Sequence, residues 1–239
     1  MTLAAIKALT FDTGGTILDW HTGLTAALAD AGRAAGVNRD WAALARHFRQ
    51  RSLAAMQHHG ATAPATKNFD DVHRETLDGL LAEAGLEALD DAQRRAIWHD
   101  ALHRLRCWPD FPPALAQLRT RYLCVSFTML SFRLVMDTAR CNNLHWDAVL
   151  SCEGIGQYKP LPGAYLGCAR YLQLKPAECL MVACHNFDLN AARACGFRTA
   201  FVRRADEWGS GSDHPADADP HHDLVVESFG ELAARLGCA

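Results

Sequence analysis

The apolar positions of the chain form short continuous runs in its first residues and its second half, with a helical periodicity between them. Runs of strand length, bounded by turn residues, occupy residues 6–11, 122–126, 179–183, 199–202 and 224–226. The long stretch after the first run repeats its apolar residues at helical spacing, which predicts helices over residues 22–35, 40–58, 70–84 and 90–105. Shorter amphipathic segments predict helices over residues 132–140, 163–172, 188–194 and 228–236.

Residues typical of helix ends flank the central helical block. Asp40 and Asp70 are predicted N-caps, because a short side-chain oxygen satisfies the free N–H groups of a first turn. Gly36, Gly60 and Gly85 are predicted helix ends, because glycine enters the left-handed backbone conformation that often terminates a helix.

The order of these elements predicts the fold class. Strands that alternate with helices in the second half predict an α/β fold, a doubly wound parallel sheet covered by helices on both faces. The helical block after the first strand predicts an inserted cap above the carboxyl edge of that sheet. We expect a core of residues 1–20 and 107–239, a cap of residues 21–106, and a small-ligand site where the two meet.

Composition narrows the class of protein. The 239 residues are 49% hydrophobic and 21% charged, with a net charge of -3, as in an ordinary globular protein. This balance gives no reason to expect a nucleic acid or a membrane surface as partner. The first residues lack a basic leader before a long apolar run, so we expect a cytoplasmic protein. A homodimer is compatible with these features.

Cysteine and histidine are abundant but predict no metal site. The nine cysteines are dispersed and form no Cys-x-x-Cys pair, so we expect reduced thiols. Histidine occurs twelve times, and the densest group is His214, His221 and His222. That group lies in a loop rich in proline and aspartate, which favours a solvated loop over a metal centre.

The strongest candidate for chemistry is Asp12. It directly follows the apolar run 6–11 and precedes the small residues Thr13-Gly14-Gly15-Thr16. A carboxylate at the end of such a strand stands at the carboxyl edge of an α/β sheet, where it can act as a nucleophile. The alternative is ordinary turn chemistry, which Asp followed by Gly-Gly also favours.

Three further polar residues follow predicted strands or lie in loops, in an order that matches this geometry. Ser126 ends the second predicted strand, Lys159 follows a loop that contains glycine, and Asp188 follows the strand 179–183. Each has a structural alternative: Ser126 and Asp188 are also suitable N-caps, and Lys159 before a proline is also a typical exposed loop residue.

Aspartate, hydroxyl, lysine and aspartate in this order resemble the four motifs of the haloacid dehalogenase superfamily. The similarity covers most of the chain and is closest to the type II 2-haloacid dehalogenases, including their defluorinating subset. The segments that carry the similarity are Trp108-Pro109-Asp110, Trp146-Asp147, residues 158–165 and residues 183–188. The resemblance implies a Rossmann-like core with a helical cap and a hydrolase that needs no cofactor.

The resemblance also implies a covalent mechanism and a set of site residues. Asp12 attacks the halogen-bearing carbon of a short 2-haloacid, and water hydrolyses the resulting ester. Lys159 keeps Asp12 ionised, and Asp188 pairs with Lys159 and helps to place or activate the water. Ser126, Thr16 and the N–H groups after Asp12 bind carboxylates. The substrate and halide positions that the family implies are Thr13, Gly14, Arg49, Phe127, Tyr165, His185 and Asn186.

Departures from the family pattern leave three functions open. Phosphatases of the superfamily carry an acid two residues after the nucleophile and bind Mg²⁺, whereas this chain has Gly14, which favours displacement of a halide. A Mg²⁺-dependent phosphatase and a non-catalytic binder of a small metabolite are the alternatives.

Two more departures concern the halide cradle. Phe127 and His185 both stand where many relatives have asparagine. We expect the ring of Phe127 to fill the space vacated at Gly14, where relatives have an aromatic residue. That arrangement leaves Arg49 and His185 as the main halide donors. Because fluoride depends most on strong donors, this arrangement of donors predicts higher activity on bromoacetate and chloroacetate than on fluoroacetate.

Overall fold

Six parallel strands form one sheet in the computed structural model, which describes residues 3–61, 65–210 and 217–238. In chain order the strands are β1 (Ala8–Phe11), β2 (Leu123–Thr128), β3 (Ala148–Ser151), β4 (Cys179–Ala183), β5 (Arg198–Val202) and β6 (Leu224–Val226). Their order across the sheet is β3-β2-β1-β4-β5-β6. The predicted parallel α/β sheet is therefore confirmed.

The first strand lies at the centre of the sheet, where the direction of strand addition reverses. Phe11, the last residue of β1, is in register with Ser126 of β2 and Val182 of β4. Strands are added from β1 towards β3 on one side and from β4 towards β6 on the other. A crevice forms outside the carboxyl ends of strands at such a reversal, so the residue after Phe11 faces the usual ligand-binding position of this architecture.

Helices occupy most of the remaining chain. Before β2 they are α1 (Trp20–Ala35), α2 (Trp41–Gly60), α3 (Phe69–Ala84) and α4 (Asp91–Arg95), followed by a π-helical turn (Ala96–Ala101), a 3₁₀ turn (Leu102–Arg104) and α5 (Phe111–Leu118). After β2 they are α6 (Phe132–Cys141), α7 (Cys152–Ile155), α8 (Pro162–Tyr171), α9 (Asn186–Ala194) and α10 (Phe229–Arg235). Short 3₁₀ turns cover Leu3–Ala5 and Pro176–Glu178. None of the helices in the described ranges is long and apolar enough to cross a membrane.

The predicted helix ends are confirmed with one exception. Asp40 caps α2 by accepting a hydrogen bond from the N–H of Ala43, and Gly36 and Gly85 both end helices at φ 69°. The prediction for Asp70 is wrong, because Asn68, two residues earlier, caps α3 with a complete capping box. The carboxylate of Asp70 instead accepts a hydrogen bond of 2.6 Å from Ser131 at the start of α6.

The helical insert leaves and re-enters the sheet at one place. Leu18 and Cys107 form an antiparallel bridge, and the N–H of Asp19 donates to the carbonyl of Arg106 at 2.9 Å. Since the two ends of the insert meet just beyond β1, the intervening helices are held close to the carboxyl edge of the sheet. We propose that residues 21–106 form a cap on a core of residues 1–20 and 107–239.

The strand β3 and the helix α5 are among the elements that the sequence pattern does not predict. The strand β3 lies at an edge and is only partly buried, so its four residues carry a weak apolar signal. The helix α5 begins with Phe111-Pro112-Pro113, which looks like a helix breaker. Proline is compatible with a first helical turn, however, because the N–H that it lacks would have no partner there.

The histidine-rich loop before β6 is less solvated than its composition predicts. His214 lies outside the described residues, and His221 is exposed. His222, in contrast, is buried: its ring stacks on Phe201 and Nδ1 lies 3.3 Å from the hydroxyl of Thr199. The nine cysteines are all free thiols.

Candidate active site

Asp12 lies at the carboxyl end of β1 and is nearly buried, with 8% of its surface exposed. Its N–H donates to the carbonyl of Val182 at 2.9 Å, which extends the pairing of β1 with β4 by one residue. The chain then turns sharply at Gly15, whose φ of +92° favours glycine. A Cβ at Gly15 would also lie 2.0 Å from Glu207, so both backbone conformation and space require glycine here.

Each oxygen of the Asp12 carboxylate accepts from a neighbouring side chain. Lys159 Nζ lies 3.2 Å from Oδ1. The hydroxyl of Thr16 donates to Oδ2 at 2.8 Å, and His185 Nδ1 lies 3.2 Å from the same oxygen. Burial alone would raise the pKa of Asp12, but the charge of Lys159 and the hydrogen bonds from His185 and Thr16 outweigh it and lower that pKa well below its usual value. Asp12 is thus an anion at neutral pH.

Lys159 bridges two carboxylates. Its Nζ lies 2.6 Å from Asp188 Oδ2, in addition to its contact with Asp12, and only 1% of the residue is exposed. Burial opposes its charge, but Asp188 and Asp12 together raise the pKa of Lys159, so it remains an ammonium ion. The structure therefore excludes the alternative of an exposed loop lysine.

Asp188 points into the site from the first turn of α9. His185 occupies the N-cap position of that helix, so Asp188 is not its cap. Burial and the neighbouring Asp12 raise the pKa of Asp188, whereas hydrogen bonds from Lys159 and from the hydroxyl of Tyr165 at 2.7 Å favour its anion. Burial and Asp188 also raise the pKa of Tyr165, which fixes its hydroxyl as a donor.

Ser126 lies within β2 rather than at its end. The strand continues to Thr128, and Ser131 is the residue that caps the following helix α6. Both the predicted strand end and the capping alternative for Ser126 are therefore wrong. Its hydroxyl lies 2.9 Å from the hydroxyl of Thr13, and both residues are buried. The pair occupies the edge of the sheet beside Asp12.

Arg49 reaches from helix α2 of the insert to the loop after Asp12. Its Nη2 donates to the carbonyl of Gly14 at 3.1 Å, and its guanidinium lies 5.7 Å from the ring centre of Trp20. Its Nε is buried without a hydrogen-bond partner in the described part of the chain. A small cavity of about 20 Å³ lies beside Asp12 and is lined among others by Asp12, Gly14, Arg49 and His185. Arg49 therefore places a positive charge beside the nucleophile candidate.

The comparison with known proteins agrees with this geometry. The sequence model of the haloacid dehalogenase-like hydrolase family matches residues 6–196. The chain belongs to this family. The (S)-2-haloacid dehalogenase of Xanthobacter autotrophicus is 30% identical over 208 residues, which cover 83% of this chain and 76% of that protein. A phosphoglycolate phosphatase of Chromobacterium violaceum is 29% identical over 242 residues, with 97% of both chains covered.

Solved structures of L-2-haloacid dehalogenases superpose on nearly the full length of the chain. An L-2-haloacid dehalogenase is 34% identical, with a TM-score of 0.89 over 98% of this chain and 100% of that chain. A defluorinating L-2-haloacid dehalogenase is 32% identical, with a TM-score of 0.91 over 97% of this chain and 95% of that chain. The resemblance read from the motifs is confirmed at the level of family and fold.

Phe127 departs from its expected place in this haloacid dehalogenase-like site. Its ring does not fill the space at Gly14: Lys159 Nζ lies 4.5 Å from the ring centre, and Tyr165 packs edge-on against the ring at 5.5 Å. Successive side chains of a strand point to opposite faces, so Phe127 faces away from its neighbour Ser126. The space at Gly14 is bordered by Arg49 and Leu130 instead. The expected preference for bromide and chloride over fluoride loses its structural basis.

Asn186 also departs from the substrate or halide position that the family resemblance implies. Its amide nitrogen donates to the carbonyl of Asp217 at 2.9 Å, and its amide oxygen accepts from the N–H of Asp219 and lies 3.0 Å from His222 Nε2. The side chain therefore fastens the loop before β6 to α9. Its amide groups therefore contact this loop and His222, and Asn186 is not among the residues that line the cavity beside Asp12.

Glu207 also lies at this site, although the sequence pattern does not indicate it. It follows β5 and is 4% exposed, with Oε1 3.0 Å from His185 Nε2 and 3.1 Å from the indole nitrogen of Trp20. Burial would raise the pKa of Glu207, but His185, Arg49 and Trp20 lower it. The available signal was its position: it is an acidic residue in the loop after the next strand beyond β4, at the same edge of the sheet.

Proposed function

We propose that this chain is a hydrolytic dehalogenase of short-chain 2-haloacids that acts through an ester on Asp12. The observation that carries the proposal is the buried carboxylate of Asp12 at the sheet reversal, held ionised by Lys159 and facing a small cavity beside Arg49. An anionic oxygen without its water shell is a strong nucleophile, and the limited space beside Asp12 disfavours large substrates. The dehalogenases among the relatives support the choice of substrate.

In the first half-reaction, Asp12 Oδ1 attacks the carbon that bears the halogen. Among the described residues, this oxygen accepts from Lys159 alone, whereas Oδ2 accepts from Thr16 and lies within hydrogen-bonding distance of His185, so Oδ1 keeps the more available lone pair. The carbon–halogen bond breaks as the carbon–oxygen bond forms, and the halide leaves with the bonding electrons. Arg49 stabilises the departing anion.

In the second half-reaction, water attacks the carbonyl carbon of the ester. Asp188 accepts the proton of that water, because its carboxylate lies beside Asp12 and shares Lys159 with it. Cleavage of the ester releases the 2-hydroxyacid and restores the carboxylate of Asp12. Tyr165 and Lys159 fix the orientation of Asp188 throughout.

Ser126 and Thr13 are suited to bind the substrate carboxylate. Their hydroxyls pair at 2.9 Å, which uses one of the two hydroxyl hydrogens. The second hydrogen remains available to a carboxylate, together with the N–H groups of the loop after Asp12.

The residues around Asp12 fit Mg²⁺ poorly, which argues against the phosphatase alternative. Mg²⁺ requires several oxygen ligands in octahedral geometry. Here the oxygens of Asp12 face the ammonium of Lys159 and the imidazole of His185, and Gly14 supplies no acid for a leaving alcohol. A lysine between two buried carboxylates equally argues against a non-catalytic binder, since a binding site has no evident need for such a costly arrangement.

Release of halide and phosphate from matched panels tests the proposed function. We expect chloride from chloroacetate and 2-chloropropionate, no phosphate from small phosphate esters, and rates that neither EDTA nor added Mg²⁺ changes. Chloride and phosphate are measured in parallel on the same enzyme preparation. Phosphate release that requires Mg²⁺, without chloride release, would identify a phosphatase.

Arg49 provides a second test at the halide side of the cavity. We expect Arg49→Met to slow halide release by about 10²- to 10³-fold, the usual effect of losing one donor to a developing anion. The loss should be larger for fluoroacetate than for bromoacetate, because fluoride depends more on its donors. Arg51→Met on the same helix is the matched control, since Arg51 pairs with Glu83 at the surface. Equal losses for both halides would remove Arg49 from the halide side.

A further inference from the structure

His185 lies between two buried carboxylates in the described part of the chain. Its Nδ1 is 3.2 Å from Asp12 Oδ2, and its Nε2 is 3.0 Å from Glu207 Oε1. The side chains of Asp12, His185 and Glu207 are 11%, 15% and 6% exposed, so water screens these contacts weakly. The three residues follow three adjacent strands, β1, β4 and β5, in the chain.

The two carboxylates favour the protonated form of the His185 imidazole. A neutral imidazole has one N–H and would present a bare lone pair to one of the two anions, whereas an imidazolium donates to both. Burial opposes the positive charge, but the sulfur of Cys184, Glu207 and Asp12 together raise the pKa of His185 well above its usual value. Of these, Glu207 and Asp12 matter at neutral pH, because burial raises the pKa of Cys184 and keeps it a neutral thiol.

The donors on Asp12 are distributed unequally between its oxygens. Thr16 and His185 both approach Oδ2, and Lys159 approaches Oδ1. If Oδ1 forms the bond to the substrate, Oδ2 becomes the carbonyl oxygen of the ester. When water adds to the carbonyl carbon, the electron pair of that C=O bond moves to Oδ2, and two donors already point at it.

We propose that His185 is a catalytic residue of ester hydrolysis that donates from Nδ1 to the oxyanion at Oδ2, and that Glu207 is its positioning residue. This inference rests on the proposed function. Thr16 is the second donor. Water supplies the new oxygen, its proton passes to Asp188, and collapse of the oxyanion breaks the bond between the carbonyl carbon and Oδ1. The 2-hydroxyacid leaves with Oδ1 and recovers a proton.

Glu207 contributes most to the charge balance of His185 after the ester on Asp12 has formed. Alkylation removes the negative charge of Asp12, and Glu207 is then the anion that still pairs with His185, as Asp188 still pairs with Lys159. Glu207 is itself held in place, since the indole of Trp20 donates to Oε1 and the loop at Gly15 packs against its carboxylate. A carboxylate fixed in this way preserves both the charge and the ring orientation of His185.

Separate measurement of the two half-reactions tests this role, with chloroacetate as the probe. In His185→Ala we expect a burst of about one chloride per active site, accumulation of the ester in the intact mass, and steady-state turnover lower by about 10²- to 10³-fold. Asp12→Asn measures the background of cysteine alkylation, because it cannot form the ester. A His185→Ala variant that slows chloride release in the burst and accumulates no ester would overturn the proposal.

Comparison of Glu207→Gln in two backgrounds tests whether Glu207 acts through His185. In the wild-type background we expect about tenfold slower ester hydrolysis, the size of one charge-assisted hydrogen bond, with ester accumulation. His185→Asn keeps an N–H donor for Oδ2 that does not depend on Glu207, so it should recover part of the rate lost in His185→Ala, and Glu207→Gln should add little to it.

A structural role for Glu207 predicts a different pattern. The same loss would then appear in both backgrounds, without ester accumulation in either, and this result would overturn the positioning role. Glu83→Gln is the matched control at an exposed ion pair. Failure of the proposed function would give a result different from failure of the roles of His185 and Glu207, because the wild-type protein itself would then release no chloride and form no ester.

Discussion

Asp12→Asn is expected to lower dehalogenase turnover by about 10⁴-fold or more while the protein stays folded. The amide has nearly the shape of the carboxylate but lacks its charge, so it cannot attack carbon effectively. Its single amide oxygen still accepts from one of the two donors, Lys159 or Thr16, which approach different oxygens of Asp12, so part of the hydrogen bonding that supports the fold is kept. Turnover is measured as chloride release, and the midpoint of thermal unfolding checks the fold.

Isotope labelling distinguishes covalent catalysis from direct attack by water. In a single turnover in ¹⁸O-water with enzyme in excess, the label should enter Asp12, because water attacks the carbonyl carbon of its ester and Oδ1 leaves with the product. Mass spectrometry of the peptide that contains Asp12 locates the label. Label found only in the product of the first turnover would show that water attacks the substrate itself.

Lys159→Met should shift the acid limb of activity to higher pH and lower the maximal rate. Asp12 must be ionised to attack, and Lys159 is the main cause of its lowered pKa. Without the ammonium, Asp12 and Asp188 remain buried together, and their repulsion favours protonation of one of them. The pKa of Asp12 therefore rises, and the pH profile of kcat/KM reports that change.

Two companion variants make the Lys159 result interpretable. Removal of one partner from a buried ion pair costs about 3–5 kcal/mol, so folding must be measured alongside activity. Lys159→Met combined with Asp188→Asn removes the excess negative charge and should recover stability but not activity. Lys67→Met breaks a surface pair with Glu75 and should leave the profile unchanged. An acid limb that does not move in Lys159→Met would contradict the charge role.

The sequence by itself determined the fold class and the chain order of the main candidates. Five strands of the sheet were readable because buried parallel strands are short apolar runs, and most helix ends were readable because caps act within one turn. The positions of Asp12, Lys159 and Asp188 followed from the rule that ligands bind beyond the carboxyl ends of strands. The family resemblance followed from the order of these same residues.

The orientation of individual side chains was decided by the tertiary structure. Phe127 packs against Lys159 because its side chain points to the opposite face of the sheet from Ser126. The strand β2 also continues two residues beyond its predicted end, and the apolar pattern of the sequence does not indicate that extension. Asn186 turns to the loop before β6 because that loop offers it a carbonyl and an N–H group. Neither partner is close to Asn186 in the chain.

The contact of Glu207 with His185 likewise exists only in three dimensions. The two residues follow adjacent strands, β5 and β4, and no local pattern in the sequence connects them. Sequence motifs record which residue types stand near strand ends, because strand length and turn chemistry are local properties. Which of those residues meet, and which atom of Asp12 each one approaches, depends on the strand order of the sheet and on the helical insert that is held close to its carboxyl edge.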